Sequence, residues 1–375
     1  MDPNQMSKSE IKKQNRTNIF QLIREMGAVS KQDIVYRLKL SLPTISQNLT
    51  SLMEYGIIEE SGFISNTGGR SARTYSMVKD AATAIGLDLT PHHITAVCID
   101  LTGTVLYKLR KRIDFERNDS YYKEINHIIL ELISESRIDT NHILGVGLGV
   151  PGLISDDHRS VFYGRVMDLT DITIDELGRY ISYPCSIHHD SAAAGFAETW
   201  VNPGTENAFY FLINNSIGGS FIYKEQVYSG NHNHSAEIGH VKIVPNGRQC
   251  YCGGSGCVDP YCSAKNLSDL TGGNLEHFFT ILKEGDPQAK ATWDSYLQYL
   301  AMAIHNTSML LDCPIILGGY VGQYLDPYIS DIKQLVSNLD PFGDSDDLIQ
   351  PCYFKNEAVA VGTALTYVDT FLNTI

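Results

Sequence analysis

Apolar residues recur at helical spacing at the start of the chain. Ile19, Ile23 and Met26, with Phe20 beside them, predict a helix from about residue 8 that ends at Gly27. Ser30, followed three residues later by Asp33, has the form of a capping box and opens a second helix carrying Ile34 and Leu38. After a turn at Lys39–Ser41, Ile45, Leu49, Leu52 and Met53 mark the buried stripe of a third helix that stops at Gly56. Opposite that stripe lie Pro43, Thr44, Gln47, Thr50 and Ser51. Ile57–Ser61, Phe63–Ser65 and Thr74–Val78 then read as strands of a hairpin, its tip running through Gly69, Arg70 and Arg73.

Three helices followed by a hairpin is the order of a winged helix-turn-helix. In that arrangement the third helix enters the major groove and the wing lies along phosphates. Short polar side chains such as Thr44, Gln47 and Ser51 can donate to and accept from base edges, and Arg70 and Arg73 would meet phosphate or the minor groove. The alternative is a helical protein-interaction module with an ordinary solvated face.

From Ala84 the pattern changes to strands. Ile85–Leu89, Ile94–Leu101 and Val105–Leu109 predict a three-stranded meander. A helix carrying Ile125, Ile128, Ile129, Leu132 and Ile133 leads to the apolar run Ile143–Val150, a buried strand ending at Pro151-Gly152. Phe209–Ile213 and Ser220–Tyr223 begin a second set of strands, helices occupy residues 291–312, and Pro314–Leu317 is one more apolar strand before Gly318-Gly319. Two such α/β sets imply two lobes with a ligand cleft between them. Boundaries follow as residues 1–80 for the helical head and 81–375 for the body.

Charge separates the same two parts. Of 29 Lys+Arg and 43 Asp+Glu in the chain, residues 1–80 hold 11 and 8, a net of +3, which leaves −17 on the body. An acidic body repels nucleic acid, so DNA contact is confined to the head. The apolar run Ile143–Ile154, 12 residues interrupted by glycines and a proline, is too short to span a membrane. The first sixteen residues are polar, with no apolar stretch and cleavage site behind them. The expectation is a cytoplasmic protein with no membrane partner.

Among the eight cysteines, Cys250, Cys252, Cys257 and Cys262 cluster just beyond His240. In Glu237-Ile-Gly-His240 … Cys250-Tyr-Cys252-Gly-Gly-Ser-Gly-Cys257, the glycines let the chain wrap tightly enough to place three thiolates and an imidazole around one ion. This predicts one structural zinc per chain on His240, Cys250, Cys252 and Cys257, a closed set with no catalytic opening, and leaves Cys262 as a small core residue.

This glutamate, glycine and histidine followed by the cysteine cluster resembles the signature of the ROK family, bacterial sugar kinases and sugar-responsive repressors sharing an actin-like, two-lobed, hexokinase-type α/β fold. The likeness extends over nearly the whole chain. The repressor branch carries an N-terminal winged helix-turn-helix whose wing bears a Gly-Arg element, here Gly69-Arg70. The resemblance implies a sugar site at Gly152, Asp190, Glu237, His240 and Asp259. It also implies a sugar or sugar-derivative effector and operator DNA as partner; symmetric operators favour two recognition helices about one DNA turn apart, which predicts a homodimer or dimer of dimers. Two positions depart from the pattern: His189 replaces the asparagine before Asp190, and Asp259 is shorter than the usual glutamate. Asp190 has a second reading as the cap of the helix through Ala192–Ala197.

Family kinases open with Asp-x-Gly-Gly-Thr, whose backbone N–H groups cradle phosphate. Here the matching segment is Asp88-Leu-Thr90-Pro91-His92, and proline supplies no N–H. The second phosphate loop, Asn214–Ser220, and Gly318-Gly319-Tyr320 keep only part of the kinase pattern. The reading is therefore a sugar-responsive transcriptional regulator of the repressor branch, with no catalytic residue. The alternative is an ATP-dependent sugar kinase with a DNA-binding appendix.

Overall fold

The computed structural model describes residues 8–65, 71–202, 204–343 and 348–374. The head comprises α1 (Lys8–Met26), β1 (Ala28–Ser30), α2 (Lys31–Leu38), α3 (Leu42–Glu54), β2 (Ile58–Ser65) and β3 (Ser71–Met77). The Ser30 hydroxyl accepts from the Asp33 N–H while the Asp33 carboxylate accepts from the Ser30 N–H, so α2 begins with the reciprocal cap its sequence predicts. Ser41 caps α3 at Thr44, and Lys39, at φ 53°, makes the left-handed turn between the two helices. The sheet order is β1-β3-β2, all antiparallel. The sequence pattern had shown β2 and β3 but not β1. Three residues carry no alternation to read, and only pairing with Thr74–Ser76 makes them a strand.

The body's first lobe contains β4 (Thr83–Leu89), β5 (His93–Asp100), β6 (Val105–Arg112), α4 (Asp119–Ser136), β7 (Ile143–Val150), β8 (Leu153–Ile154), β9 (Val161–Tyr163), α5 (Ile174–Leu177) and β10 (Cys185–His189). After α6 (Asp190–Val201), the second lobe follows with β11 (Asn207–Ile213), β12 (Ile217–Tyr223), β13 (Gln226–Val227), α7 (Asp259–Cys262), α8 (Ala264–Ser268), α9 (Leu275–Lys283), α10 (Pro287–Leu311), β14 (Ile315–Gly318), α11 (Gly319–Gly322), α12 (Ile329–Ser337) and β15 (Ile349–Pro351). Finally α13 (Ala358–Leu372) returns to the first lobe.

Both main sheets have the same plan. The first runs β10-β7-β4-β5-β6 and the second β13-β12-β11-β14-β15, each with a three-stranded meander joined to two parallel strands. This is the two-lobed α/β architecture that the strand pattern implied, and the actin-like arrangement that the family resemblance implied. Close backbone approach seats α13 in the first lobe. A Cβ on Gly86 would lie 1.8 Å from the Ala360 carbonyl, and one on Gly362 would lie 1.8 Å from that of Ala193. Glycine at these two positions lets α13 lie directly on β4 and against α6.

The head is not an appendage on a loose tether. Ile19, Phe20 and Ile23 of α1, Leu49 and Leu52 of α3, and Tyr75 of β3 belong to one buried cluster with Val97 and Ile99 of β5 and Val361, Leu365 and Val368 of α13. The predicted boundary falls at the single turn Lys79–Ala81, beside this shared core. No described helix is long and apolar enough to cross a membrane.

Candidate functional site: an interlobe cavity beside a cysteine-histidine cluster

The end of β7, the β8–β9 hairpin, the start of α6 and the start of β12 meet around a cavity of about 450 Å³. Its lining includes Gly152, Asp190, Glu237 and His240, which the structure brings together from positions up to 88 residues apart. Gly152 has no room for a side chain, since a Cβ would come within 2.9 Å of the Tyr163 carbonyl oxygen. Asp190 is the first residue of α6, where the helix N-terminus favours a negative charge, and its Oδ1 accepts the Ser191 N–H at 2.7 Å. The N-cap position itself is His189, which makes no side-chain cap hydrogen bond, so the reading of Asp190 as the cap does not hold: Asp190 lies one residue inside the helix and lines the cavity. Asp259 is not part of the lining; its Oδ1 accepts the Ile217 N–H at 2.7 Å and fixes the edge of β12.

His189, the departure from the family's asparagine, stands between two acids. Its Nε2 is 3.4 Å from Asp190 Oδ1 and 3.8 Å from Glu237 Oε1. Burial lowers the His189 pKa, and the Glu237 charge opposes that shift. Burial also raises Asp190 to about 7 and pushes Glu237 up, the latter partly relieved by His189. Asp88, at the end of β4, is raised to about 8 by burial and by the charge of Asp190, so Asp190 ionises first. Sequence reasoning had missed Phe162, Tyr163, Arg165, His234 and Tyr251, which complete the wall. His234 lies in the run His232-Asn-His234-Ser-Ala-Glu237, and that density of histidine just before the motif was the available signal.

Next to the cavity, the ligand atoms of His240, Cys250, Cys252 and Cys257 all lie within 4.8 Å of one another. Cys250 Sγ is 3.7 Å from His240 Nδ1, and Cys252 Sγ is 3.9 Å from Cys257 Sγ. Zn–S bonds of about 2.3 Å in a tetrahedron separate sulfurs by roughly 3.8 Å, so the donor set can hold an ion of that size. The Gly254 N–H donates to Cys252 Sγ and lowers that thiol's pKa, whereas burial raises Cys250 to about 12. A thiolate at Cys250 therefore needs a cation beside it. With Nδ1 turned to the sulfurs, His240 Nε2 faces the Tyr251 hydroxyl at 3.3 Å, on the cavity side. Cys262 is fully buried and outside the cluster, and all eight cysteines are free thiols.

The turn from Asp88 to His93, expected to match the kinases' phosphate turn, is closed by hydrogen bonds within itself. The Thr90 N–H and hydroxyl both donate to the His93 carbonyl at 3.0 Å, and the Thr90 hydroxyl in turn accepts the His93 N–H at 3.2 Å. Across the cleft, Tyr320 is 7% exposed and lies under the Arg110 guanidinium, 5.0 Å from ring centroid to Cζ. Asn214 Oδ1 accepts the Tyr320 N–H at 2.8 Å, so the Asn214–Ser220 segment is tied to the strand-to-helix turn at Gly318-Gly319-Tyr320.

On the head, Pro43, Gln47 and Thr50 are exposed on α3, and Thr44 is half-buried beside Ser41. The Thr50 hydroxyl donates back to the Ser46 carbonyl. Ser51 is turned toward α1, where its hydroxyl accepts from Arg16 Nη1 at 3.1 Å. Arg73 makes a bidentate pair with Glu60 across the hairpin, both N–O distances 2.8 Å, on an exposed surface. Arg70 lies outside the described residues.

A family model described as ROK matches residues 84–369. The chain is 25% identical over 265 residues to a putative xylose repressor of Caldicellulosiruptor sp., covering 69% of this chain and 66% of that protein. It is 22% identical over 325 residues to the DNA-binding transcriptional dual regulator NagC of Escherichia coli, covering 85% and 77% of the two chains. Among solved structures, a ROK family transcriptional regulator homologous to E. coli Mlc superposes over 97% of each chain with a TM-score of 0.75 at 20% identity. A ROK family glucokinase from Streptomyces griseus, solved with glucose and AMPPNP, covers 76% of this chain and 99% of its own with a TM-score of 0.66 at 20% identity.

Proposed function

The chain belongs to the ROK family, and from that premise we propose that it is a sugar-responsive transcriptional repressor that binds operator DNA as a dimer through its winged head. The observation that carries this reading is the convergence of Gly152, Asp190, Glu237 and His240 on one cavity in a chain whose head shares its core with the body. Carboxylates at Asp190 and Glu237 accept paired sugar hydroxyls, and the His240 Nε2–H donates to another. One zinc on His240, Cys250, Cys252 and Cys257 holds the His240 ring and the loop behind it in place when bound. The relatives named as a putative repressor and as a DNA-binding transcriptional dual regulator support the DNA-binding half of the proposal.

Phosphoryl transfer is the weaker reading. The kinase-named structural neighbours share the fold, but the Thr90 and His93 N–H groups are occupied within their own turn and Pro91 has none. Asp190 could accept a proton from a sugar hydroxyl, yet without a cradle for the donor phosphates there is no group to transfer.

The helix α6 offers a direct mechanical connection between sugar and DNA. It begins at Asp190 and runs about 18 Å. Near its far end, the Trp200 ring lies 4.1 Å from the Arg24 guanidinium of α1, while Trp200 Nε1 donates to the Thr102 carbonyl at 2.8 Å. A sugar that binds the two lobe arrangements unequally shifts the head with α6, and DNA shifts sugar affinity by the same factor.

A gel-shift titration against the DNA upstream of its own gene, with xylose, glucose and N-acetylglucosamine in turn, tests the proposal. A shift at low salt that one sugar alters by 5- to 150-fold is expected, and Trp200→Ala keeps sugar binding but loses that response. No shift at low salt, or steady ADP release with any of these sugars, overturns the reading.

On the DNA side, Gln47→Ala is expected to relax base specificity at one position by about 1–3 kcal/mol. Arg73→Ala should weaken all sequences alike and reduce the slope of log K against log salt by about 0.9. Equal salt slopes for the wild type and Arg73→Ala would place the wing away from phosphate.

A further inference from the structure

A second cavity of about 520 Å³ opens on the other side of His189. It shares only Leu153 and His189 with the interlobe cavity, and neither Asp190 nor Glu237 lines it. Its wall runs from the β8–β9 hairpin across α6 and β13 to α13. We propose that this chamber is a second binding site, separate from the first, for an uncharged saccharide unit.

The chemistry of the wall selects that class. Three carboxylates, Asp156, Glu225 and Asp369, line it without a single lysine or arginine, so a sugar phosphate or other anion meets only repulsion. His188 lies in the wall, 7% exposed, its Nε2 held by the Ser186 hydroxyl at 2.7 Å and the Thr366 hydroxyl at 3.4 Å. That ring packs against His158 with centroids 4.7 Å apart and the ring planes tilted by 34°. The His158 Nδ1 is 3.1 Å from the Ile187 carbonyl, which can only accept, so Nδ1 carries a proton and donates it there. His158 sits at φ 57°, a left-handed conformation stabilised in part by the Ile187 N–H donating to its own carbonyl at 2.9 Å. A strained turn thus holds one imidazole over another at the wall of a hollow, alongside carboxylates that pair with vicinal hydroxyls. Phe196 and Tyr228 contribute aromatic surface for the C–H face of a sugar ring.

The position of the chamber gives the occupant a consequence. Phe196, Glu225 and Asp369 also line the cleft between the body and α1 of the head, together with Arg24 and Trp200. A ligand here touches α6 midway between Asp190 and Trp200.

The test is calorimetric titration of the full-length, zinc-loaded chain with xylose, glucose, N-acetylglucosamine and sucrose. Two sites per chain are expected for at least one of these sugars. Ala192→Trp, which fills the chamber from α6 without lining the interlobe cavity, should weaken one site at least tenfold and spare the other. Glu237→Gln should do the reverse. Gln226→Ala, an exposed change in the same wall, should weaken the chamber site several-fold even if Ala192→Trp fails to fold. One site per chain that Glu237→Gln weakens and both chamber variants leave unchanged overturns the proposal, as does putrescine binding in the chamber with all four sugars silent. A wild-type chain that shows the chamber site but no site weakened by Glu237→Gln would count against the interlobe sugar pocket and leave this proposal standing.

Discussion

Cys257→Ser is expected to strip the chain of its metal, from one zinc per chain to none by atomic absorption, and to lower sugar affinity by about 10- to 100-fold. Cys257 is buried, its sulfur 3.9 Å from Cys252 Sγ, and the loop it closes carries His240 on one flank and Asp259 on the other. Without the ion, three thiols and an imidazole face one another with no charge to organise them, and nothing orients the His240 Nε2 toward the cavity. The damage should stay local. The head's core residues do not touch this loop, so DNA binding at low salt should persist while the sugar response disappears. A Cys257→Ser protein that keeps full sugar affinity would show that the metal does not shape the pocket, and wild-type protein that purifies folded with no bound metal would remove the zinc proposal itself. Cys262→Ser is the internal control, because Cys262 is buried outside the cluster and its loss should leave the zinc content unchanged.

Asp190→Asn is expected to reduce sugar affinity by at least 100-fold and, with it, any effect of sugar on the gel shift. A buried carboxylate that accepts hydroxyl hydrogen bonds gains more than a neutral amide. The same residue gives a pH dependence. Burial raises Asp190 to about 7, so sugar affinity should rise from pH 6 to pH 8 as the carboxylate ionises, and that rise should vanish in Asp190→Asn. Stability moves the opposite way. A carboxyl whose pKa is higher folded than unfolded contributes its stability fully below pH 4 and loses it as pH climbs through about 7, since the buried ion is then uncompensated in the empty pocket. Melting temperature without sugar should therefore fall from pH 6 to pH 8, and added sugar should restore most of the loss. A pH-independent affinity in the wild type would mean that Asp190 is not the ligand's acceptor. Asp88 titrates above it, at about 8, and Asp88→Asn should leave the lower step in place.

The cysteine cluster shows why some chemistry is legible in a sequence. His240, Cys250, Cys252 and Cys257 lie within 18 positions, so local chain geometry and the intervening glycines all but force their side chains together. The capping box at Ser30 and Asp33 is legible for the same reason, and so are the apolar runs of β7 and β14, whose burial on both faces leaves little alternation. The face proposed to read DNA was only partly legible. Helical periodicity placed Ser51 on the outer side of α3, but α1 crosses there and Arg16 takes up its hydroxyl. Similarly, Arg73 read as a free cation until β2 brought Glu60 opposite it.

The order and type of the main elements, the split of charge between the first 80 residues and the rest, and the cysteine-histidine cluster were determined by the sequence itself, because each depends on residues that are near neighbours in the chain. Only the tertiary structure decided that Asp259 is spent on the Ile217 N–H, that His189 stands between two acids, that the head is fused to the body through one core, and that α6 joins Asp190 to Arg24. Those facts depend on which distant surfaces pack together, and packing is settled by shape and burial summed over the whole molecule rather than by any local pattern.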